Sequence, residues 1–220
     1  MKKIFSISIV LLFFNFSSNA NAQNVQSEIG FGIGVNIPSN DMEALKGLVY
    51  QLDYRLLNKN FGIQFSMNYL QNKMDDEYLM KIKGSNSINS ENWRSVSGML
   101  KLLGRVHSSD NKLLIDLSFG FGMMQSKFPS QSYNYDINYP EFVQNIAALN
   151  EFSSAFVLGG GLKLHYKFNA ESSVGLGYDL QAAKQTYILN GTKFNGTIKD
   201  YTGNVTMYYS NFILGLNYFF

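Results

Sequence analysis

The last nine residues constrain the fold most. Counting back from Phe220, every second residue (Tyr218, Leu216, Leu214 and Phe212) is apolar. The intervening set, Phe219, Asn217, Gly215, Ile213 and Asn211, is mixed and mostly small or polar. Successive side chains of a strand point to opposite faces, so this is a strand with one apolar face that runs to the very end of the chain.

The same period recurs seven more times. The apolar face is Ile29, Phe31, Ile33, Val35 and Ile37 in the first segment (28–37). In the second (48–56) it is Leu48, Tyr50, Leu52, Tyr54 and Leu56. The third carries Phe61, Ile63, Phe65, Met67 and Tyr69. The fourth (93–106) is the least regular, with Val96, Leu100, Leu102 and Val106. The fifth has Leu113, Ile115, Leu117, Phe119, Phe121 and Met123, and the sixth Phe156, Leu158, Leu162, Leu164, Tyr166 and Phe168. The seventh has Val174, Leu176, Tyr178 and Leu180, and the eighth starts near Val205. The opposite faces are largely Gly, Ser and Asn, a poor coat for a surface in water. Each segment is about the 9–11 residues that a tilted strand needs to cross hydrocarbon.

Connections alternate short and long. The short ones lie at 58–60, 107–111 and 169–172, the long ones at 38–47, 71–92, 124–152 and 184–204. Short turns at one end, long loops at the other and an even strand count match an outer-membrane barrel with both termini periplasmic. A soluble eight-stranded barrel would bury the apolar face and hydrate the other, which this outer face does not suit. Aromatics also mark the strand ends: Phe61, Tyr166, Phe168, Tyr218 and Phe220 at one, Tyr69, Phe156 and Tyr208 at the other. The expected fold is therefore all-β, an eight-stranded antiparallel up-and-down transmembrane barrel.

The N-terminus agrees. Lys2 and Lys3 precede an apolar run from Ile4 to Phe16, followed by the small-x-small site Ala20-Asn21-Ala22. This is a secretory signal peptide spanning 1–22, cleaved after Ala22, with one barrel domain over 23–220. With Lys2 and Lys3 gone, the 18 basic residues fall to the number of acidic ones, 16, and no basic patch argues for nucleic acid. There is no Cys, which excludes disulfides and lipid attachment at a Cys.

By strand parity, Glu28, Asp53, Asp116 and Asp179 share the interior with Arg55, Lys101, Arg105, Lys163 and Lys167. Such charges could line a polar conduit. In a barrel of eight strands they fill the interior as a paired network. A tight turn centred near Glu171 places Lys163 opposite Asp179, and an ion pair between them is expected. His165 lies on the inward face between two lysines, with no nucleophile in its pattern. Tyr208-Tyr209-Ser210-Asn211 has Tyr208 where barrel lipid A deacylases carry a His, and Tyr is no general base at neutral pH. No catalytic, cofactor or metal residue is assigned. Asp75, Asp76 and Glu77 do not make a cation cage.

The third long connection is rich in aromatics: Tyr133, Tyr135, Tyr139 and Phe142 are recognition candidates. Phe142, Val143, Ile146 and Leu149 have helical spacing after Pro140, so a short helix capping the barrel mouth is the competing reading. In the fourth, Asn190-Gly191 signals a hairpin tip beyond the membrane.

Residues Gly30 to Ser39 (GFGIGVNIPS), Gly47, Asp53 to Arg55 and Phe61 to Leu70 (FGIQFSMNYL) resemble the opening of the PorT-like outer-membrane β-barrel proteins, a porin-family group of small barrels. That resemblance implies a cell-envelope protein of Gram-negative type and an association with protein secretion, although most relatives have no assigned activity. Three functions remain open: a structural or interaction protein working through its external loops, a small channel, and a lipid-modifying enzyme. Expected partners are outer-membrane lipid and lipopolysaccharide, the barrel assembly machinery, and an envelope or secretion protein.

The outward row Phe212, Leu214, Leu216, Tyr218 and Phe220 is the expected assembly signal. Deleting Phe220 should sharply reduce the heat-modifiable folded species in membranes, whereas normal assembly would count against a closing strand here.

Overall fold

The computed structural model describes residues 25–39, 46–72, 93–127, 133–134, 145–146, 153–194 and 197–220. The expected signal peptide, Asp75 to Glu77, Tyr135, Tyr139 and Phe142 lie outside them. In chain order the strands are β1 (Val25–Ser39), β2 (Gly47–Asn58), β3 (Phe61–Asn72), β4 (Trp93–His107), β5 (Leu113–Lys127), β6 (Tyr133–Asn134), β7 (Asn145–Ile146), β8 (Ser153–Lys167), β9 (Ser172–Phe194) and β10 (Thr197–Phe219). All but β6 and β7 form a closed antiparallel barrel of eight. Neighbours in sequence pair, β5 meets β8, and β10 closes onto β1. Ser27 N–H donates to Phe220 C=O at 3.1 Å, and Phe220 N–H returns to Ser27 C=O at 2.9 Å, so the closing strand is held to its last residue.

The expected eight segments are the eight barrel strands, and their apolar faces point outward. Phe31, Leu102, Leu117, Phe119, Leu176, Leu214 and Leu216 are all more than half exposed. A belt of this kind is stable where its surround is hydrocarbon and every backbone group is paired within the sheet. Tyr218 stacks on Phe220 at the short-turn end, their ring centroids 6.2 Å apart. At the far end Phe121 stacks on Phe156 at 6.1 Å.

Register fixes the width. One circuit from Glu28 through Arg55, Gln64, Lys101, Gly120, Gly159, Gln181 and Tyr209 returns to β1 at Pro38, ten residues further on. That stagger with eight strands tilts them by roughly 40° and leaves an interior that side chains can fill.

Two features differ from expectation. In the third connection the two-residue strands β6 and β7 pair with each other. Asn145 and Ile146 are therefore extended, not helical. A short apolar run does not separate helix from strand by spacing alone.

The fourth connection is a long ribbon, β9 and β10 each running 23 residues, so the projection beyond the barrel is real. Its tip is elsewhere. Phe194 pairs with Thr197, which leaves the second Asn-Gly dipeptide, Asn195-Gly196, as the connection. Asn190-Gly191 lies within β9, opposite the register shift between Lys199 and Tyr201. Two residues there face one, which is a β-bulge, and Asn-Gly suits a bulge as well as a turn.

The turns are tight. Lys59 and Asn111 have φ of 56° and 54°. In the 108–112 turn the Ser108 hydroxyl and the Lys112 N–H both donate to Asp110, which holds that carboxyl below the usual carboxylate range.

Gly34 marks the closest approach at the closing seam. A Cβ there would stand 1.8 Å from the Phe212 carbonyl oxygen, whereas one at Gly98 would meet nothing nearer than the Phe65 ring at 4.0 Å. Gly34→Ala should cost about 1–3 kcal/mol in folding stability in lipid vesicles. Gly98→Ala should match the parent. The urea midpoints of the two variants test this.

Candidate functional site

The barrel interior is the candidate site. Alternation brings the inward residue of each strand into one column, and its middle is ionic. Arg55 is its hub. It bonds Glu28 of β1, Asp53 at 2.8 Å, Gln64 of β3 at 3.2 Å and Asn217 of β10 at 3.2 Å, with Asp116 of β5 at 3.8 Å. Arg105 of β4 grips Asp116 with two bonds, 2.5 and 2.6 Å, and reaches Glu28 at 2.7 Å. Lys101 pairs with Asp179, and Lys163 with Asp53 and Gln51.

Glu28, Asp53, Asp116 and Asp179 thus face Arg55, Lys101, Arg105 and Lys163, four charges of each sign. All but Lys163 are at most 2% exposed. Charges so far from water are tolerable only when paired and hydrogen-bonded. Uncharged side chains add to the bonding, although Arg105 Nη1 and Gln51 Nε2 are buried without a hydrogen-bond partner. Gln64 and Ser66 both donate to Asp53, at 3.1 and 2.8 Å, and Gln181 donates to Asp179 at 2.9 Å.

The expected Lys163–Asp179 pair does not form. Lys163 stands opposite Gly177, and Gly161 opposite Asp179, two residues away from a register centred on Glu171. The two-residue difference keeps both side chains inward but changes their partners. The Lys163 stem lies over Gly177, where a Cβ would meet it at 2.9 Å, and its ammonium crosses the lumen to Asp53. Lys167 sits at the short-turn mouth, its ammonium 4.2 Å from the centroid of the inward Phe219 ring.

His165 is part of the same network. Asn217 presents its Oδ1 to Arg55, so its amide donates to His165 Nδ1 at 2.9 Å. That places the imidazole proton on Nε2, which donates to Asp116 at 3.1 Å. Ser173 bonds Asn217 rather than the ring. Ser210 points outward and pairs with the Tyr178 hydroxyl at 3.2 Å. Neither hydroxyl is hydrogen-bonded to His165 as a nucleophile would be to its base.

A second component of the interior does not follow from the charged residues. Toward the long-connection end the lumen is filled by Val49, Leu70, Trp93, Met99, Met124, Val157, Met207 and Tyr209, all at most 2% exposed. Trp93 and Tyr209 meet edge to face at 6.1 Å. At the opposite end Leu57, Leu114 and Phe219 turn inward. The signal is present in the sequence, since large apolar residues recur on the inward parity of β2 to β5 and β10. Of the remaining lumenal space, one cavity of about 10 Å³ lies beside Gln51, Asp53, Lys163 and His165, room for about one water.

No known protein family matches the chain, and no curated protein matches it in sequence. Solved structures do. The fold is that of a small outer-membrane barrel.

One similar structure is Ail, the attachment invasion locus protein of Yersinia pestis, in complex with the heparin analogue sucrose octasulfate. It is 14% identical, the match covers 90% of this chain and 100% of that one, and the TM-score is 0.52. Another is OprG from Pseudomonas aeruginosa, 12% identical, with 90% and 96% covered and a TM-score of 0.52. A major outer membrane protein from Thermus thermophilus is 12% identical, with 88% and 99% covered and a TM-score of 0.52. At these identities the likeness is one of fold.

Lys101 and Asp179 give the cleanest test of the network, because each is the other's charge partner. Lys101→Met alone should lower stability by about 3–5 kcal/mol by leaving a buried charge unpaired. Adding Asp179→Leu should recover much of that loss, as read from urea midpoints in a double-mutant cycle.

Proposed function

We propose that this chain is an integral outer-membrane barrel without enzymatic activity, acting as a structural or interaction protein through its external end. Both termini are periplasmic in this reading, and the signal peptide is removed after Ala22. The observation that carries the proposal is the filled lumen, a neutral set of paired charges between apolar side chains, where the cavity beside Lys163 and His165 measures about 10 Å³. A conduit needs a continuous wet path, and this packing among the described residues supports a barrel without one.

The outward belt supports a lipid surround, and the short-turn end, where β1 begins and β10 ends, supports the topology. The β9–β10 ribbon and the long connections are the parts free to meet a partner. The resemblance of Gly30 to Ser39 and Phe61 to Leu70 to PorT-like barrels supports an envelope partner, with a secretion accessory as the specific form. Lipopolysaccharide is the expected neighbour of the external end, and the barrel assembly machinery the expected partner of the closing strand.

Two measurements check this. Purified chain in planar bilayers should give no stable conductance steps, and steady openings would promote the small-channel reading. Epitope tags placed in the 73–92 connection or at Asn195 should be detected on intact cells. Tags at Lys59 or Ser109 should need lysis, and the reverse pattern would invert the topology.

A further inference from the structure

The outward belt has a notch at the end that carries Val25 and Phe220. Its walls are Ile29, Phe31, Leu52, Leu216, Tyr218 and Phe168, and its volume is about 340 Å³. Small residues, Gly30, Ser172 and Ser173, also line it. The outward row of β9 reads Ser172, Val174, Leu176, Tyr178 and Leu180, and Ser172 stands opposite Tyr218. Ser172 is the one small side chain in that outward row, and it lines the notch.

The lip of the notch is built and charged. Glu171 N–H donates to Asn169 Oδ1 at 2.9 Å, and the Glu171 carbonyl accepts from Phe219 N–H at 2.7 Å, so the turn is fixed at both ends. The Tyr218 hydroxyl donates to the Glu171 carboxylate at 3.4 Å, and the Tyr218 ring stacks on Phe220. An exposed carboxylate beside aromatic faces, at the edge of an apolar belt, is complementary to an ammonium group.

We propose that this notch binds one phospholipid with an ammonium headgroup, an acyl chain lying between Phe31, Leu52 and Leu216 and the ammonium resting on Glu171. The site rests on the membrane reading above, because only in a bilayer is lipid the molecule that competes for this face. Its location at the short-turn end makes it a site for the leaflet that faces the periplasm. A lipid held there would couple the closing seam of β1 and β10 to the turn before β9.

The test uses the full mature chain, refolded into vesicles of equal phosphatidylethanolamine and phosphatidylglycerol, extracted in mild detergent and weighed by native mass spectrometry. One phosphatidylethanolamine should be retained per chain, in several-fold excess over phosphatidylglycerol. Glu171→Gln should remove the headgroup preference, and Ser172→Trp, which fills the notch, should remove the retained lipid. Vesicle flotation and heat-modifiability are read on every variant. Equal retention of the two lipids, a preference that survives Glu171→Gln, or retention that survives Ser172→Trp in an inserted barrel would overturn the site and leave the membrane reading standing. A parent chain that neither floats nor shows heat-modifiability would overturn the membrane reading itself, and the site with it.

Discussion

Closure of eight strands at a stagger of ten residues is the constraint on which the rest of the structure depends. It sets the diameter, and the diameter decides what the inward face must do. With room for side chains and little else, that face cannot remain a hydrated surface. Each inward charge must find its counter-charge within a side chain's reach. Arg55 can serve Glu28, Asp53, Gln64 and Asn217 because three other strands bring side chains to its own across this short span. The apolar residues above and below deepen the isolation and make correct pairing more important.

The outer face answers to a different solvent. The same alternation that sends Arg55 inward sends Tyr54 and Leu56 outward, and a slip of one residue would exchange the two sets. Register is therefore held from both sides, by the apolar belt outside and by ion pairs and hydrogen bonds within. Glycines admit the longer inward chains. Lys163 crosses the lumen because Gly177, its partner across the strand pair, has no side chain to obstruct it.

The barrel is readable from the chain because alternation is a local signal, repeated eight times and punctuated by turns. Its inward and outward sets follow from parity, so the positions of Glu28, Asp53 and Arg105 can be named without coordinates. Partners cannot. Which acid meets Lys163 depends on register to two residues and on what stands across the lumen, and neither is local. The turn before β9 looks centred on Glu171, yet the strands pair two residues out from that count. Asn190-Gly191 misleads for a related reason, since the same dipeptide serves a bulge and a hairpin, and a second copy stands five residues on. The apolar lumen is harder to see because polar interiors belong to large channels, whereas a narrow barrel can pack its inside as a soluble core does.

The pairs Lys163–Asp53 and Lys101–Asp179 join β8 to β2 and β4 to β9, strands that are not neighbours in the sheet. They exist only once the sheet has curled. A flat or half-formed sheet would carry Lys101, Asp179 and Lys163 without these partners and leave Asp53 with Arg55 of its own strand alone, together with an edge of open backbone groups. Entering hydrocarbon one strand at a time would leave them marooned there. The assembly route that this interior favours is one in which curling and insertion proceed together, with water retained inside until β10 reaches β1. The ion pairs then act as a latch, costly to open from either leaflet and complete only when the circle is.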